Sequence, residues 1–115
     1  MNINLIDQFF LSQEEPQKGC FLALRKIILD WNPLITEHRK YKLPFYYYQN
    51  KPFCYLWKDK NSNEPYIGMV RCNNVDYPQL IQGNRKKMKV LPIDPTLDIE
   101  ITLMYEIFEE LKKNY

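Results

Sequence analysis

Two stretches, Phe45-Tyr46-Tyr47-Tyr48 and Pro52-Phe53-Cys54-Tyr55-Leu56-Trp57, constrain this chain more than anything else in it. Both are short, aromatic and bounded by turn residues, which is the pattern of β-strands, and neither alternates apolar with polar. Successive side chains of a strand point to opposite faces, so a sheet built on this pair is apolar on both sides. At least one side must be covered, and the other is either covered too or left available to a partner. Gln49-Asn50-Lys51 reads as a tight hairpin. With Asn50 and Lys51 at its tip, Tyr46 lies opposite Tyr55 and Tyr48 opposite Phe53, and all four share a face with Trp57. Phe45, Tyr47, Cys54 and Leu56 take the other face.

Cover is available at both ends of the chain. Leu5, Ile6, Phe9 and Phe10 have helical spacing over residues 4–11. Ser12 and Glu15 resemble a capping box, and Pro16 fits the first turn of a second helix, on which Phe21, Leu24, Ile28 and Trp31 form an apolar stripe widened by Cys20 and Ile27. Asn32-Pro33 ends that helix, because the residue before proline is driven out of the helical region. At the other end Leu97, Ile101, Met104, Phe108, Leu111 and Tyr115 repeat at four, three, four, three and four residues. Asp98 is placed to cap this terminal helix, and Lys112 and Lys113 suit its C-terminal dipole.

Between the helices, strands are expected near 37–42, 45–48, 52–59 and 65–72, with a looser turn at Lys60-Asn61-Ser62-Asn63. Residues 77–82 read as a turn or two of helix closed by Gly83, and 85–91 as a further strand. The expected fold is α+β: one domain over residues 1–115, an antiparallel sheet of four or five strands packed by N-terminal helices and a C-terminal amphipathic helix. A chain of 115 residues, 45% hydrophobic and 26% charged, has the composition of one ordinary globular core.

Charge and motif content narrow the function. A net charge of +2 is too small to indicate nucleic acid or an anionic membrane as partner. No apolar run reaches the roughly 20 residues that span a bilayer, and Met1-Asn2-Ile3-Asn4 lacks the basic start of a secretory signal, so the cytoplasm is the expected location. Cys20, Cys54 and Cys72 form no CxxC pair and read as reduced thiols, although Cys54 and Cys72 can approach each other across neighbouring strands. The one histidine, His38, precedes Arg39 and Lys40 and suits a solvated strand, and no serine or cysteine sits in a nucleophile motif. Gly19, Gly68 and Gly83 are too scattered for a phosphate-cradling loop. No metal-ligand spacing and no cofactor motif is present; Glu14, Glu15, Glu106, Glu109 and Glu110 offer only carboxylates near helix ends.

Two features remain as candidate sites. The aromatic row Tyr46, Tyr48, Phe53, Tyr55 and Trp57 can form a groove for an apolar or planar ligand or a base-stacking platform, or it can simply be core. The segment Arg85-Lys86-Lys87-Met88-Lys89, read as a strand, aligns Arg85, Lys87 and Lys89 on one face, either as an anion contact or as an edge that discourages aggregation.

The order of motifs also resembles a known family. Leu24-Arg25-Lys26-Ile27-Ile28, Tyr41-Lys42-Leu43-Pro44-Phe45-Tyr46, Pro52-Phe53-Cys54-Tyr55, Gly83-Asn84-Arg85-Lys86 and Asp98-Ile99 look like those of the DUF1801 family, also called YdhG-like. The resemblance implies a small α+β fold with an antiparallel sheet between N- and C-terminal helices. It implies no established activity, although some members have been linked to frataxin-like iron delivery for iron-sulfur cluster assembly. The leading expectation is a non-enzymatic binding module that holds a small molecule or a partner protein on the aromatic face, with the basic segment at its margin. The alternatives are iron handling through helix-end carboxylates aided by His38, and nucleic-acid binding through Arg85, Lys86, Lys87 and Lys89.

Overall fold

The structure, a computed structural model, describes residues 4–115. Asn4 opens the first helix, α1 (Leu5–Leu11), by accepting the Asp7 backbone N–H on its side chain at 2.7 Å. The expected capping box does not form. Ser12 instead closes α1, its hydroxyl donating to the Phe9 carbonyl, and Glu15 accepts from the Gly19 N–H inside the next helix. That helix, α2 (Gln17–Trp31), begins directly after Pro16 and buries Cys20, Phe21, Leu24 and Ile28. It ends at Asn32, whose backbone is extended ahead of Pro33.

Five strands follow, β1 (Ile35–Lys40), β2 (Leu43–Tyr48), β3 (Lys51–Lys58), β4 (Pro65–Met69) and β5 (Lys89–Pro92), in a fully antiparallel meander of spatial order β1-β2-β3-β4-β5. The last helix, α3 (Ile101–Lys112), returns to the side of the sheet occupied by α2, where the Tyr105 hydroxyl donates to the Ile27 carbonyl at 2.8 Å. This is the α+β architecture the sequence predicts, with helices at both ends of the chain.

Four local expectations are corrected. Residues 77–82 form no helix: a turn closes from Leu80 to Tyr77, and Ile81 pairs with Val90 along the outer edge of β5. Residues 85–88 are irregular, so the last strand starts only at Lys89. α3 starts four residues after Leu97, which is 67% exposed, and the Asp98 side chain caps nothing. Met104, Ile107, Phe108 and Leu111 form its buried stripe.

The hairpin register is the correction that matters for function. Gln49 and Asn50, both with left-handed φ (52° and 63°), form the tip in place of Asn50 and Lys51, so Tyr48 pairs with Lys51 and Tyr47 with Pro52. Tyr46 then pairs with Cys54 and Phe45 with Tyr55. Phe53 is the extra residue of a β-bulge, and the bulge lets both Phe53 and Cys54 enter the helix-side core. Tyr46, Tyr48 and Phe53 therefore lie beneath the helices, whereas Tyr55 stands on the opposite face.

On the helix side Phe53 stacks on Trp31 with ring centroids 5.2 Å apart and meets Phe108 edge-on at 5.4 Å. Each such pair adds about 0.5–1.5 kcal/mol beyond area burial. At the β1 edge Arg25 makes a two-point contact with Glu37 (2.8 and 2.9 Å) and also reaches Asp7 at 2.9 Å. The Tyr46 hydroxyl donates to the same Glu37 carboxylate, so this polar group enters the core with its bonds made. Burial first, and then Glu37, push the Tyr46 phenol far above its ordinary range.

Candidate ligand-binding face

The helices pack over the face that carries Tyr46 and Phe53. By the pairings of β2 with β3 and β3 with β4, the other face carries Phe45, Tyr47, Pro52, Tyr55, Trp57, Tyr66 and Gly68, and of these Trp57 is reached by Phe9 of α1. Phe45 and Tyr55 are stacked nearly parallel, with centroids 4.9 Å apart and planes inclined by 15°. Tyr66 meets Tyr55 edge-on at 6.1 Å, and Tyr41 meets Phe45 edge-on at 6.0 Å. Around this group lies a concavity of about 340 Å³, completed by Lys40, Leu43, Val70 and Met88.

Gly68 makes the floor possible. It pairs with Tyr55 across the strands, and a Cβ there would collide with the Tyr55 ring, so only glycine lets that ring lie across β4 and reach Phe45. One wall stands on an unusual turn. Tyr41 and Lys42 join β1 to β2 in a two-residue loop with φ of 53° and 63°, a region that glycine and asparagine occupy most easily. A side chain larger than those costs roughly 1–2 kcal/mol in that conformation. Tyr41 is nevertheless 78% exposed and leans over Phe45.

The rim is cationic. The Lys40 ammonium lies 5.4 Å from the Tyr41 ring centroid and 5.8 Å from that of Phe45. Burial pushes the Tyr55 phenol up to about 12, with Tyr66 adding to the rise, while the positive charge of Arg85 acts the other way. Arg85 itself donates to the Gln82 carbonyl at 3.2 Å.

Of the candidate residues read from the sequence, Tyr55 lines this site, and Arg85 is exposed in the irregular segment before β5, outside the lining. Tyr46, Tyr48 and Phe53 are sealed in the core. Trp57 pairs with Tyr66 but touches Phe9 of α1 at 5.8 Å, and with Phe9 it borders a separate depression near Leu5 and Arg39. Lys87 is exposed in the irregular segment, and Lys89 is buried, its ammonium donating to the Val75 carbonyl. The row of three cations on one strand face therefore does not exist. Lys40, Tyr41, Phe45 and Tyr66 are the site residues that sequence reasoning did not nominate. In the sequence Phe45 falls on the sheet face opposite the aromatic row, with Tyr47, Cys54 and Leu56.

Other chemistry finds little support in the arrangement. Cys20, Cys54 and Cys72 are all free and buried. Burial pushes the Cys20 and Cys72 thiols up to about 11 and Cys54 higher still, which keeps them protonated and unreactive near neutrality. His38 bonds Thr36 at 2.8 Å and packs against Tyr47 with centroids 4.4 Å apart and planes tilted by 44°. Among the described residues no three His, Cys, Asp or Glu side chains converge as metal ligands, and Glu109 and Glu110 are engaged by Trp31, Lys112 and Lys113. No described helix is long and apolar enough to cross a membrane.

What fold and site define together is a meander sheet with helices on one side and an aromatic concavity on the other. No family model, no curated protein and no solved structure matches the chain.

Proposed function

We propose that this chain is a cytoplasmic, non-enzymatic binding module that receives a flat, apolar small molecule on the helix-free face of its sheet, and that it is a divergent relative of the DUF1801 proteins its motifs resemble. The observation that carries the reading is the Phe45–Tyr55 stack at the base of a concavity of about 340 Å³. That volume lies at the lower end of the roughly 300–1,000 Å³ typical of small-ligand sites. A planar ring extends an existing stack without reorganising it, and the ordering cost is small because the walls are already held by their neighbours. Among the described residues no activated nucleophile lines the concavity, and binding rather than turnover is the function assigned to it.

The test is a titration of isotope-labelled protein with 2-naphthamide, a neutral bicyclic probe, followed by amide chemical shifts. Saturable shifts are expected at residues 40–45, 55, 66 and 88, and they should be lost in Tyr55→Ser. Absence of saturable shifts, or shifts confined to the helix side, would remove the proposal.

A further inference from the structure

We infer that the ligand of this face is an elongated molecule of two apolar ring systems joined by a short, narrow linker, one ring system stacked on Phe45 and Tyr55 and the other resting against Trp57 and Phe9. The inference rests on the binding-module reading above and adds the ligand's length and shape to it. The aromatic face does not stop at the Phe45–Tyr55 stack. Side chains two residues apart share a face of a strand, so Leu43 precedes Phe45 on β2 and Trp57 follows Tyr55 on β3, both on the side away from the core. A step of two residues advances about 7 Å along the sheet. The stack is therefore succeeded by a second apolar pair, Leu43 and Trp57, and the run ends where Phe9 of α1 meets Trp57 with ring centroids 5.8 Å apart.

Each pair has its own concavity. The second, of about 580 Å³, is bordered by Leu5, Phe9 and Trp57, and it adjoins the first through two residues that line both, Tyr41 and Leu43. Tyr41 stands 78% exposed at this junction. A ligand that passes from one concavity to the other crosses Leu43 beside the Tyr41 ring, a place that suits a linker better than a fused ring. Ser12 and Gln13 also line the second concavity, but their polar groups are already engaged: both donate to the Phe9 carbonyl at 3.0 Å, and the Gln13 side-chain oxygen accepts from Lys58. The surface on offer there is mainly that of Leu5, Phe9, Leu43 and Trp57, with Arg39 and Lys42 exposed at the rim. A molecule with a ring at each end covers both apolar pairs at once, whereas a lone bicyclic ring covers only the first.

The experiment compares N-(2-phenylethyl)-2-naphthamide with N-ethyl-2-naphthamide, which share the bicyclic ring and the linker and differ in the second ring, by calorimetric titration with amide shifts as the map. Burial of one face of the phenyl ring predicts about tenfold tighter binding of the longer probe, with added shifts at Leu5, Phe9 and Trp57. In Trp57→Ala, and separately in Leu5→Ser, which removes a side chain that is 54% exposed and leaves the core intact, the ratio between the two probes should fall toward one. Equal affinity of both probes for the unaltered protein would overturn the inference while leaving the binding module in place. So would an advantage of the longer probe that survives undiminished in both variants. If neither probe binds, both readings fall together.

Discussion

On the helix side of the sheet Tyr46, Phe53, Leu56 and Ile67 are wholly enclosed by α1, α2 and α3, while on the other side Tyr47, Tyr55 and Tyr66 remain half-buried with no helix above them. The residue types are nearly the same on both sides. What separates them is supply: three helices can roof one face of a five-stranded sheet, and the remaining aromatics shield one another. Phe45 illustrates this, being only 6% exposed although its neighbours are Tyr41, Tyr55 and the stem of Lys40. Aromaticity alone thus does not distinguish a core from a site. The distinguishing feature is whether a second layer closes over the rings.

The sharpest way to break this comparison is to truncate one ring on each face. Phe53→Ala removes a fully buried side chain packed against Trp31, Phe108 and Tyr115, and should cost about 3–5 kcal/mol in urea unfolding. Tyr55→Ser removes a half-buried ring whose outer side faces solvent, and should cost about 1–2 kcal/mol while abolishing probe binding. Equal losses would mean that both faces are core and would leave the concavity without a special status.

Gly68→Ala ranks next. The added methyl occupies space now held by the Tyr55 ring, and that ring is pinned by its stack on Phe45, so the variant should lose about 1–3 kcal/mol and its affinity for 2-naphthamide. In a Tyr55→Ala background the same substitution should cost far less, since its obstacle is gone, and a double-mutant cycle measures the difference. A full penalty that persists without the ring would show that Gly68 serves β4 itself rather than the floor of the site.

The sequence reveals the layers better than the faces. The stripes Phe21-Leu24-Ile28 and Met104-Phe108-Leu111 announce two helices because a 3.6-residue period survives local accidents, and the aromatic runs announce strands. Face assignment depends on parity, and parity fails at the first inserted residue. The bulge at Phe53 carries no compositional mark, yet with the tip at Gln49-Asn50 it moves Tyr46 from opposite Phe53 to opposite Cys54 and so transfers the site from one aromatic set to another. Lys89 failed for a related reason: counting from Arg85 presumed a strand that begins four residues later, and the lysine found a backbone carbonyl in the 72–80 loop. The Tyr41-Lys42 turn is invisible in the sequence because neither residue is a usual turn former, and the strand expected near 37–42 runs straight through it.

That turn supplies the finest test of the comparison, because the two hairpins of β2 differ in the same respect as the two faces. At Gln49-Asn50 the left-handed backbone serves only to reverse the chain, whereas at Tyr41-Lys42 it also carries a ring over the open face. If that conformation is tolerated for the sake of the site, relieving it should separate stability from binding. Lys42→Asn, beside the site, should gain about 0.5–1 kcal/mol in thermal or urea unfolding, since asparagine adopts this conformation more readily, and should leave 2-naphthamide affinity where it was. Tyr41→Asn relieves similar strain but forfeits the edge-on contact with Phe45, worth about 0.5–1.5 kcal/mol, so its net stability change should be close to zero while binding weakens. A Tyr41→Asn variant that gains as much as Lys42→Asn and still binds the probe normally would show that the strain at position 41 has nothing to do with the open face.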